Sequence, residues 1–280
     1  MLSTSTLRLL GERDLVEVFD VLARNPVANT FVESRVRASG GRTWRLGGEL
    51  WGYVEGGRLR ALCYSGANVV PVEADEPALR TFADRMRRQG RRCSSIVGVA
   101  DQVATLWQLL EPTWGPSREV REDQPLLVID RQPDIEPDPL VRPVRPDEID
   151  LVLPACIAMF TEEVGVSPLA HDGGSLYRTR VAELIAAGRA FARIEEGRVV
   201  FKAEVGATTP SACQVQGVWV DPARRGEGLA APGMAAVVEQ ARSTLAPAVS
   251  LYVNAFNVPA RRAYDRVGFT QAGTFTTVLF

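Results

Sequence analysis

Residues 214–230 constrain the fold of this 280-residue chain more than any other stretch. They begin with an apolar run at residues 215–220 that is rich in β-branched and aromatic side chains and predicts a buried strand. Asp221-Pro222 ends the strand, because proline has no N–H to donate and favours an extended residue before it. A glycine-rich turn follows, and the alanine-rich run after the turn predicts a helix. The sequence therefore predicts a strand, a turn and a helix in direct succession.

The predicted turn combines two arginines with two glycines, as Arg224-Arg225-Gly226-Glu227-Gly228. Unpaired N–H groups at a helix N-terminus act together with the helix dipole to favour an anion. Glycine allows the backbone to come close to such an anion, and arginine can donate two hydrogen bonds to phosphate oxygens. The turn therefore predicts a pyrophosphate-binding site.

Two common phosphate-binding motifs fit this turn poorly. A P-loop requires Lys and then Ser or Thr after its last glycine, whereas Gly228 is followed by Leu229 and Ala230. A dinucleotide fingerprint matches as Gly226-x-Gly228-x-x-Ala231, but no acidic residue ends the next strand to bind a ribose. The proline and the two arginines in the turn also argue against that fingerprint.

A third motif fits better. Arg225-Gly226-Glu227-Gly228-Leu229-Ala230 resembles the R-x-x-G-x-A motif of the GNAT superfamily, the N-acyltransferases that use acetyl-CoA. Further along the chain, Asn257, Ala260, Tyr264 and Gly268-Phe269 are spaced as in the closing N-x-x-A-x-x-x-Y-x-x-x-G-F pattern of that family. The resemblance covers about residues 140–280, half of the chain. The alternative is an ordinary βαβ unit with a glycine turn.

The resemblance implies that acetyl-CoA lies between two diverging parallel strands, here residues 215–220 and 250–254. The pantetheine amides would pair with strand backbone, and the pyrophosphate would lie on the turn. The residues assigned to the coenzyme in this way are Val218, Trp219, Val220, Arg225, Gly226, Glu227, Gly228, Leu229, Ala230 and Asn257. Asn257 has a second interpretation, as the cap of the short helix that it precedes.

Two residues are the candidates for catalysis. Tyr264 is the candidate general acid, because the family often has a tyrosine there that protonates the departing thiolate. A phenol is a weaker acid than a thiol in water, so the site would have to assist that transfer. Glu204, on a strand beside the first motif, is the candidate general base, and Glu162 and Glu163 at the end of a predicted helix are further candidates. Each of these residues has a structural alternative, as a packed tyrosine or a solvated charge.

The predicted function is therefore N-acetyl transfer, with acetyl-CoA as cosubstrate and a small-molecule amine or a peptide N-terminus as acceptor. The alternative is a non-catalytic acetyl-CoA-binding sensor or interaction module that retains the fold without the chemistry. The presence of both the turn and Tyr264 favours the enzyme.

Composition excludes several other classes of protein. A formal net charge of −2 gives no general attraction to nucleic acid. No apolar run approaches the ~20 residues that span a bilayer, and the start of the chain lacks the layout of a signal peptide, so we expect a cytoplasmic protein without a membrane partner. The four cysteines are scattered and His171 is the only histidine, which argues against a metal site and a disulfide framework. Lys202, His171 and Cys213 receive no role.

The fold predicted from these patterns is α/β (α+β), with a mixed central sheet and flanking helices in two tandem GNAT-like units. Two predicted hairpins suggest the repeat, because residues 54–59 (VEGGRL) resemble residues 194–199 (IEEGRV). The predicted domains are residues 1–130, a linker rich in proline and acid at 131–139, and residues 140–280. Glu73, Asp75 and Glu76 stand where the second copy has its arginines, and they would repel a pyrophosphate. The first domain is therefore expected to lack the coenzyme site, and to line the acceptor cleft, support a homodimer or only complete the fold.

Overall fold

The structure is a computed structural model that describes residues 5–170 and 173–280. His171, which the sequence leaves without a role, lies outside the described residues. The chain folds into two compact units. The first unit contains the chain up to Leu126 together with Tyr252–Phe256 and Gln271–Phe280, and the second contains Leu127–Leu251 and Asn257–Thr270.

Short runs of strands and of helices follow one another along the described chain, and both are numbered here in chain order. The strands are β1 Ser5–Leu9, β2 Gly48–Glu55, β3 Arg58–Gly66, β4 Asn68–Val72, β5 Ser95–Val99, β6 Glu119–Ile129, β7 Arg142–Pro143, β8 Ala190–Glu195, β9 Arg198–Thr208, β10 Ala212–Val220, β11 Ala248–Tyr252 and β12 Thr270–Leu279. The helices are α1 Leu15–Leu22, α2 Thr30–Ser39, α3 Thr43–Leu46, α4 Glu76–Gln89, α5 Ala100–Trp114, α6 Ile149–Val164, α7 Ser175–Ala186, α8 Ala230–Thr244 and α9 Val258–Val267. None of the described helices is long and apolar enough to cross a membrane.

Each unit contains a mixed sheet. In the first unit the strand order is β1-β2-β3-β4-β5-β12, and in the second it is β11-β10-β9-β8-β7. Neighbouring strands in both orders are antiparallel, except for the parallel pairs β4–β5 and β10–β11. The predicted fold class, a mixed sheet with flanking helices in tandem units, is confirmed.

The compact units do not follow the order of the chain. The last strand, β12, pairs with β5 from Phe275–Val99 to Leu279–Ser95, and so completes the sheet of the first unit. In the segment predicted as a linker, Asp138 is buried and accepts a hydrogen bond of 2.8 Å from Arg193 of the second unit. The predicted domain boundaries stay a prediction, since packing within the folded chain does not test whether each part folds alone.

The two units differ at the helix that follows the first strand of their parallel pair. In the first unit this helix is α4, and the Asp75 carboxylate accepts a hydrogen bond of 3.0 Å from the N–H of Ala78. An N-terminal carboxylate of this kind satisfies the helix end that an external anion would otherwise bind. This cap supports the expectation that the first unit lacks a coenzyme site.

The second unit packs its helices closely on β9. The ring of Phe201, fully buried on β9, lies so near α8 that a Cβ on Gly233 would be 2.8 Å from its nearest carbon. On another face, α6 and α7 contribute Val152, Ala155, Cys156, Val181, Leu184 and Ile185 to a core cluster with strands of the sheet. These contacts fix the start of α8 and the inward face of α6, the two elements that flank the candidate site.

The start of α6 is held by a buried carboxylate. Both oxygens of Glu148 accept hydrogen bonds from the Arg142 guanidinium, at 2.7 and 2.8 Å, and Oε2 also accepts from the backbone N–H of Arg145 at 2.9 Å. The Arg142 guanidinium is the main cause that lowers the pKa of Glu148 from 4.5 to about 2. The pKa of Glu148 is lower in the folded protein than its ordinary value of 4.5, so the charged carboxylate stabilises the fold at pH values above 4.5. This stabilisation is lost as the pH falls from there through about 2.

We therefore expect Glu148→Gln to lower the free energy of unfolding by about 1–3 kcal/mol at neutral pH. The difference from the unmodified protein should shrink between about pH 4.5 and about pH 2, where Glu148 itself becomes protonated. Urea unfolding at a series of pH values measures it. Asp147→Asn is the control, because Asp147 is 77% exposed in the same turn and its ion pair should contribute little. Equal losses in the two variants, or a difference that does not change with pH, would contradict this account.

Candidate active site

The site begins where β10 and β11 part. Their parallel register consists of Ala212–Ala248, Cys213–Val249 and Gln214–Ser250. Within the described chain it goes no further, although β10 continues to Val220. The other side of β10 remains paired with β9 as far as Val220–Phe201. The backbone of residues 215–220 therefore keeps polar groups on its β11 side for another chain or a ligand.

A β-bulge interrupts β10 within this open segment. Gln216 pairs with Glu204 and Trp219 pairs with Lys202, so β10 has one residue more than β9 between the two pairs. Gly217 lies in the bulge with a φ of +61°, and a Cβ there would be 2.8 Å from the Cε of Met159. Both the backbone conformation and the packing of α6 therefore require glycine. Sequence analysis placed coenzyme contacts on Val218, Trp219 and Val220 but did not find this bulge.

The turn after β10 leaves donors unpaired at the start of α8. Asp221 accepts a hydrogen bond of 3.0 Å from the N–H of Ala223 and so closes the turn, and α8 begins at Ala230. Gly226 and Gly228 have φ values of +87° and +82°, and a Cβ on either would meet no atom within 4 Å. In the described part of the chain, the N–H groups of Gly226, Gly228, Leu229 and Ala230 have no hydrogen-bond acceptor. The result is an open, donor-lined turn at a helix N-terminus.

Carboxylates hold both arginines of the turn. Arg224 donates to Glu195 at 2.8 Å and to Glu227 at 2.6 Å, and this arrangement raises the pKa of Arg224. Glu227, assigned to the coenzyme from the sequence, therefore serves as a side-chain partner within the turn.

Arg225 joins the turn to the end of α6. Its guanidinium donates to Glu162 at 2.7 Å and to the carbonyl oxygen of Val220 at 3.3 Å. Glu162, a candidate base from the sequence, is thus paired with a residue of the phosphate turn, and Val220 has its carbonyl engaged.

Glu204 lies in a buried polar cluster on the α6 side of the sheet. It is 5% exposed, and its Oε1 accepts hydrogen bonds from the Lys202 ammonium at 2.5 Å and the Cys156 thiol at 3.5 Å. Burial opposes the charged form of Lys202, but the Glu204 carboxylate outweighs it, and the pKa of Lys202 is raised. Burial also raises the pKa of the Cys156 thiol to about 11, so that the thiol stays protonated and donates.

Tyr264 lies on α9 with its ring packed at 5.8 Å from that of Phe269. It is buried, and no hydrogen bond of its hydroxyl is found to any described residue. Burial raises the pKa of Tyr264, and the charge of Glu163 adds to the rise. The phenol is therefore protonated at every physiological pH and available as a donor.

Asn257 caps α9, since its side-chain oxygen accepts a hydrogen bond of 3.3 Å from the N–H of Ala260. The capping interpretation thus describes the structure, and a contact between Asn257 and the coenzyme stays a prediction.

The structure brings most of the predicted residues together in the second unit, and it adds three to which sequence analysis assigned no role. These are Gly217, Lys202 and Cys156. It also pairs Glu162, a candidate base from the sequence, with Arg225. Lys202 and Glu204 did carry a signal, because two charges at alternate positions of an otherwise apolar strand indicate a buried polar pair. The pairing of Glu162 with Arg225, 63 positions later in the chain, has no such signal.

Part of the second unit matches a known protein family. Residues 169–269 match the model of the acetyltransferase (GNAT) family. They form a GNAT domain. Residues 48–152 match a domain of unknown function, DUF4081. No match was found among curated protein sequences.

Solved structures of GNAT proteins are similar over nearly the whole chain. A tandem GNAT protein from the clavulanic acid biosynthesis pathway is 14% identical, with a TM-score of 0.59 and coverage of 99% of this chain and 98% of that one. A GNAT acetyltransferase from Colwellia psychrerythraea is 12% identical, with a TM-score of 0.54 and coverage of 98% and 99%. A GCN5-related N-acetyltransferase from Sphaerobacter thermophilus is 18% identical, with a TM-score of 0.55 and coverage of 98% and 95%. At these identities the likeness is one of fold, and with the GNAT domain it supports an acyltransferase at a general level.

The turn fits the pyrophosphate of the coenzyme that this family uses. An anion needs donors and space, and the open positions beside Gly226 and Gly228 and the unpaired N–H groups provide both. Among the described residues, no group of three or more acidic, histidine or cysteine side chains is arranged to hold a metal ion.

The Arg225–Glu162 pair generates a testable expectation. Glu162 competes with a bound pyrophosphate for Arg225, so Glu162→Gln should tighten binding of coenzyme A about two- to fivefold, as expected for an exposed ion pair of about 0.2–1 kcal/mol. Isothermal titration calorimetry with coenzyme A measures the change. Glu239→Gln on α8 is the control, because it removes the same charge from an exposed position well away from the helix N-terminus. Weaker binding after Glu162→Gln would show that Glu162 supports the anion site instead of competing with it.

Proposed function

We propose that this protein is an N-acetyltransferase that transfers an acetyl group from acetyl-CoA to an amine. One observation carries the proposal: β10 parts from β11 after three residue pairs and then leads directly into the open, donor-lined turn at the start of α8. The open strand edge suits the amides of pantetheine, and the turn suits the pyrophosphate.

The residues of the turn divide the work of holding the coenzyme. The N–H groups of Gly226, Gly228, Leu229 and Ala230 face the phosphates, and the guanidinium of Arg225 adds a charged donor beside them. Along β10, the backbone at Val218 and Trp219 binds the pantetheine arm. The coenzyme supplies a thioester, whose acyl carbon is open to attack by an amine.

We assign the backbone N–H groups at the bulge of Gly217 to the negative charge that develops on the thioester oxygen. Preorganised donors of this kind stabilise such charge without having to reorganise during the reaction. Tyr264 then gives its proton to the departing sulfur. Its raised pKa keeps it protonated, so that the donor form is always present.

The acceptor we propose is a small-molecule amine or a peptide N-terminus, with Glu204 as its general base. Oε1 of Glu204 is already engaged by Lys202 and Cys156, which leaves Oε2 to take a proton. We expect the protein to act in the cytoplasm without nucleic acid or a membrane as partner, and the first unit is the part that would support a homodimer.

An acetyl-CoA sensor is the rival from another class, and turnover separates it from an enzyme. Release of free thiol is measured with the full-length protein, acetyl-CoA and a panel of small amines and peptides. A protein that binds acetyl-CoA tightly but releases thiol no faster with any amine than without one is a sensor.

Coenzyme binding itself is tested at Gly228. Gly228→Glu puts bulk and negative charge into the open turn and should weaken binding of acetyl-CoA at least about 100-fold. Gly188→Glu is a matched control, because Gly188 also has a positive φ, of +67°, and open space at its Cβ. Calorimetry on the full-length variants compares the two. Equal affinity for acetyl-CoA in the Gly228→Glu variant and the unmodified protein would rule out the turn as the pyrophosphate site.

The role of Tyr264 is tested by Tyr264→Phe. The ring and its packing on Phe269 remain, but no proton can be donated, so turnover should fall by about 10²–10⁴ while affinity for acetyl-CoA stays nearly constant. Steady-state kinetics together with calorimetry on the matched pair of proteins measure both. Near-normal turnover in the phenylalanine variant would reduce Tyr264 to a packing residue, and weaker binding with normal turnover would make it a binding residue.

A further inference from the structure

Lys202 is the one lysine in the chain, and the proposed function gives it no direct step. It is 2% exposed and lies on β9 two residues before Glu204, with its ammonium on Oε1 of that carboxylate. The Cys156 thiol, from α6, donates to the same oxygen. Two side chains from two elements therefore converge on one oxygen of the Glu204 carboxylate.

This cluster lies directly against the bulge of β10. A Cβ on Gly217 would stand 3.3 Å from the Nζ of Lys202 and 3.5 Å from the Oε2 of Glu204. In the described chain, Oε2 has no hydrogen-bond donor, in contrast to Oε1, which has two. The free oxygen of a 95% buried carboxylate is thus next to the bulge whose N–H groups the proposed reaction uses.

Stability does not explain a charged pair in this position. Removing two charges from water costs several kcal/mol for each ion, and an apolar pair of similar volume is often as stable or more so. The residues of β8 paired with Glu204 and Lys202, which are Ala190 and Ala192, are apolar and buried. A Lys–Glu pair among them therefore calls for a chemical explanation.

We propose that Lys202 and Cys156 are positioning residues that hold Oε1 of Glu204, so that Oε2 is left beside Gly217 to accept the proton of the acceptor amine. This inference rests on the proposed function and adds the two residues that control its base. Lys202 supplies a positive charge next to the carboxylate. Cys156 helps to orient the carboxylate, since a neutral thiol donates one hydrogen bond without changing the charge of the cluster.

The proton balance of the step is closed. The neutral amine attacks the thioester carbon, its N–C bond forms, and its surplus proton passes to Oε2 of Glu204. As the C–S bond breaks, Tyr264 gives its proton to the departing sulfur. The proton on Glu204 then returns to the tyrosinate through water, and both side chains regain their starting states.

Three titratable groups face Glu204 from the elements packed against it. They are Lys202 on β9, Cys156 on α6 and Tyr177 on α7, whose hydroxyl donates to the carbonyl oxygen of Cys156 at 2.9 Å. Burial raises the pKa of both Cys156 and Tyr177, so both are neutral at physiological pH. Lys202 is then the one positive charge among these three groups.

The experiment compares the pH dependence of kcat/KM in the unmodified protein and in Lys202→Met, across about pH 5–10. Methionine keeps the length and apolar character of the side chain but removes its charge. The acidic limb of the profile should move upward by about 1–3 pH units, because Lys202→Met removes the positive charge beside the proposed base. Affinity for acetyl-CoA should stay within about twofold.

Three further variants make the result specific. Glu204→Gln should lose the acidic limb and lower kcat by about 10²–10⁴, and Lys202→Met/Glu204→Gln should be no less active than Glu204→Gln alone. Glu148→Gln, another buried carboxylate of the same unit, should lose stability but leave the limb in place. If Lys202→Met does not fold, Cys156→Ala carries the test, with a smaller upward shift expected.

An acidic limb that does not move in the folded Lys202→Met variant, or in Cys156→Ala when that variant carries the test, overturns the inference. If the limb does not move in the variant while the unmodified protein does transfer acetyl groups, only the inference about Lys202 and Cys156 is wrong and the proposed function stands. If the unmodified protein binds acetyl-CoA but acetylates no amine, the proposed function is wrong, and so is the inference that rests on it.

Discussion

The early end of the parallel pairing between β10 and β11 is the constraint on which the rest of the site depends. A parallel strand in the middle of a sheet normally has both edges paired, and an open edge costs free energy unless other donors and acceptors take over. Here the opening coincides with the bulge at Gly217 and with the turn into α8, so three features of the proposed coenzyme site follow one another along residues 214–230. The geometry of the strand therefore determines where the backbone N–H donors lie, and the side chains of the turn add charge beside them.

Charge in the second unit is arranged in pairs at two depths. At the surface, Arg224 and Arg225 are each held by carboxylates that a stronger anion can replace. In the interior, Lys202 and Glu204 have no such competitor and are held by burial. Because exposed pairs are weak and buried ones are costly to break, the outer pairs suit reversible binding and the inner pair suits a fixed geometry.

Much of this architecture could be predicted from the sequence where the local pattern and the fold agree. The strand predicted at residues 215–220 lies within β10, and the turn before α8 follows from its glycines. Strand β4 was missed because it contains Pro71, which lies beyond the two residue pairs that β4 forms with β5. Strand β12 was missed because its buried Thr276 and Thr277 read as polar, and their hydroxyls bond to Glu122 and Gln124 of β6, about 150 positions earlier in the chain. The bulge and the Arg225–Glu162 pair likewise depend on tertiary packing, which periodicity does not encode.

The position of β12 has a consequence for how the protein is made. A ribosome releases the first unit's helices and strands early, yet the strand that pairs with β5 emerges only after the residues of the second unit. Until then the edge of β5 is exposed and the aromatic contact of Phe280 with Trp107 is missing. The first unit therefore stays incomplete until the second unit has been synthesised. A truncated product that ends before residue 270 leaves that edge open, which makes it a candidate for aggregation or degradation before the second unit can be used.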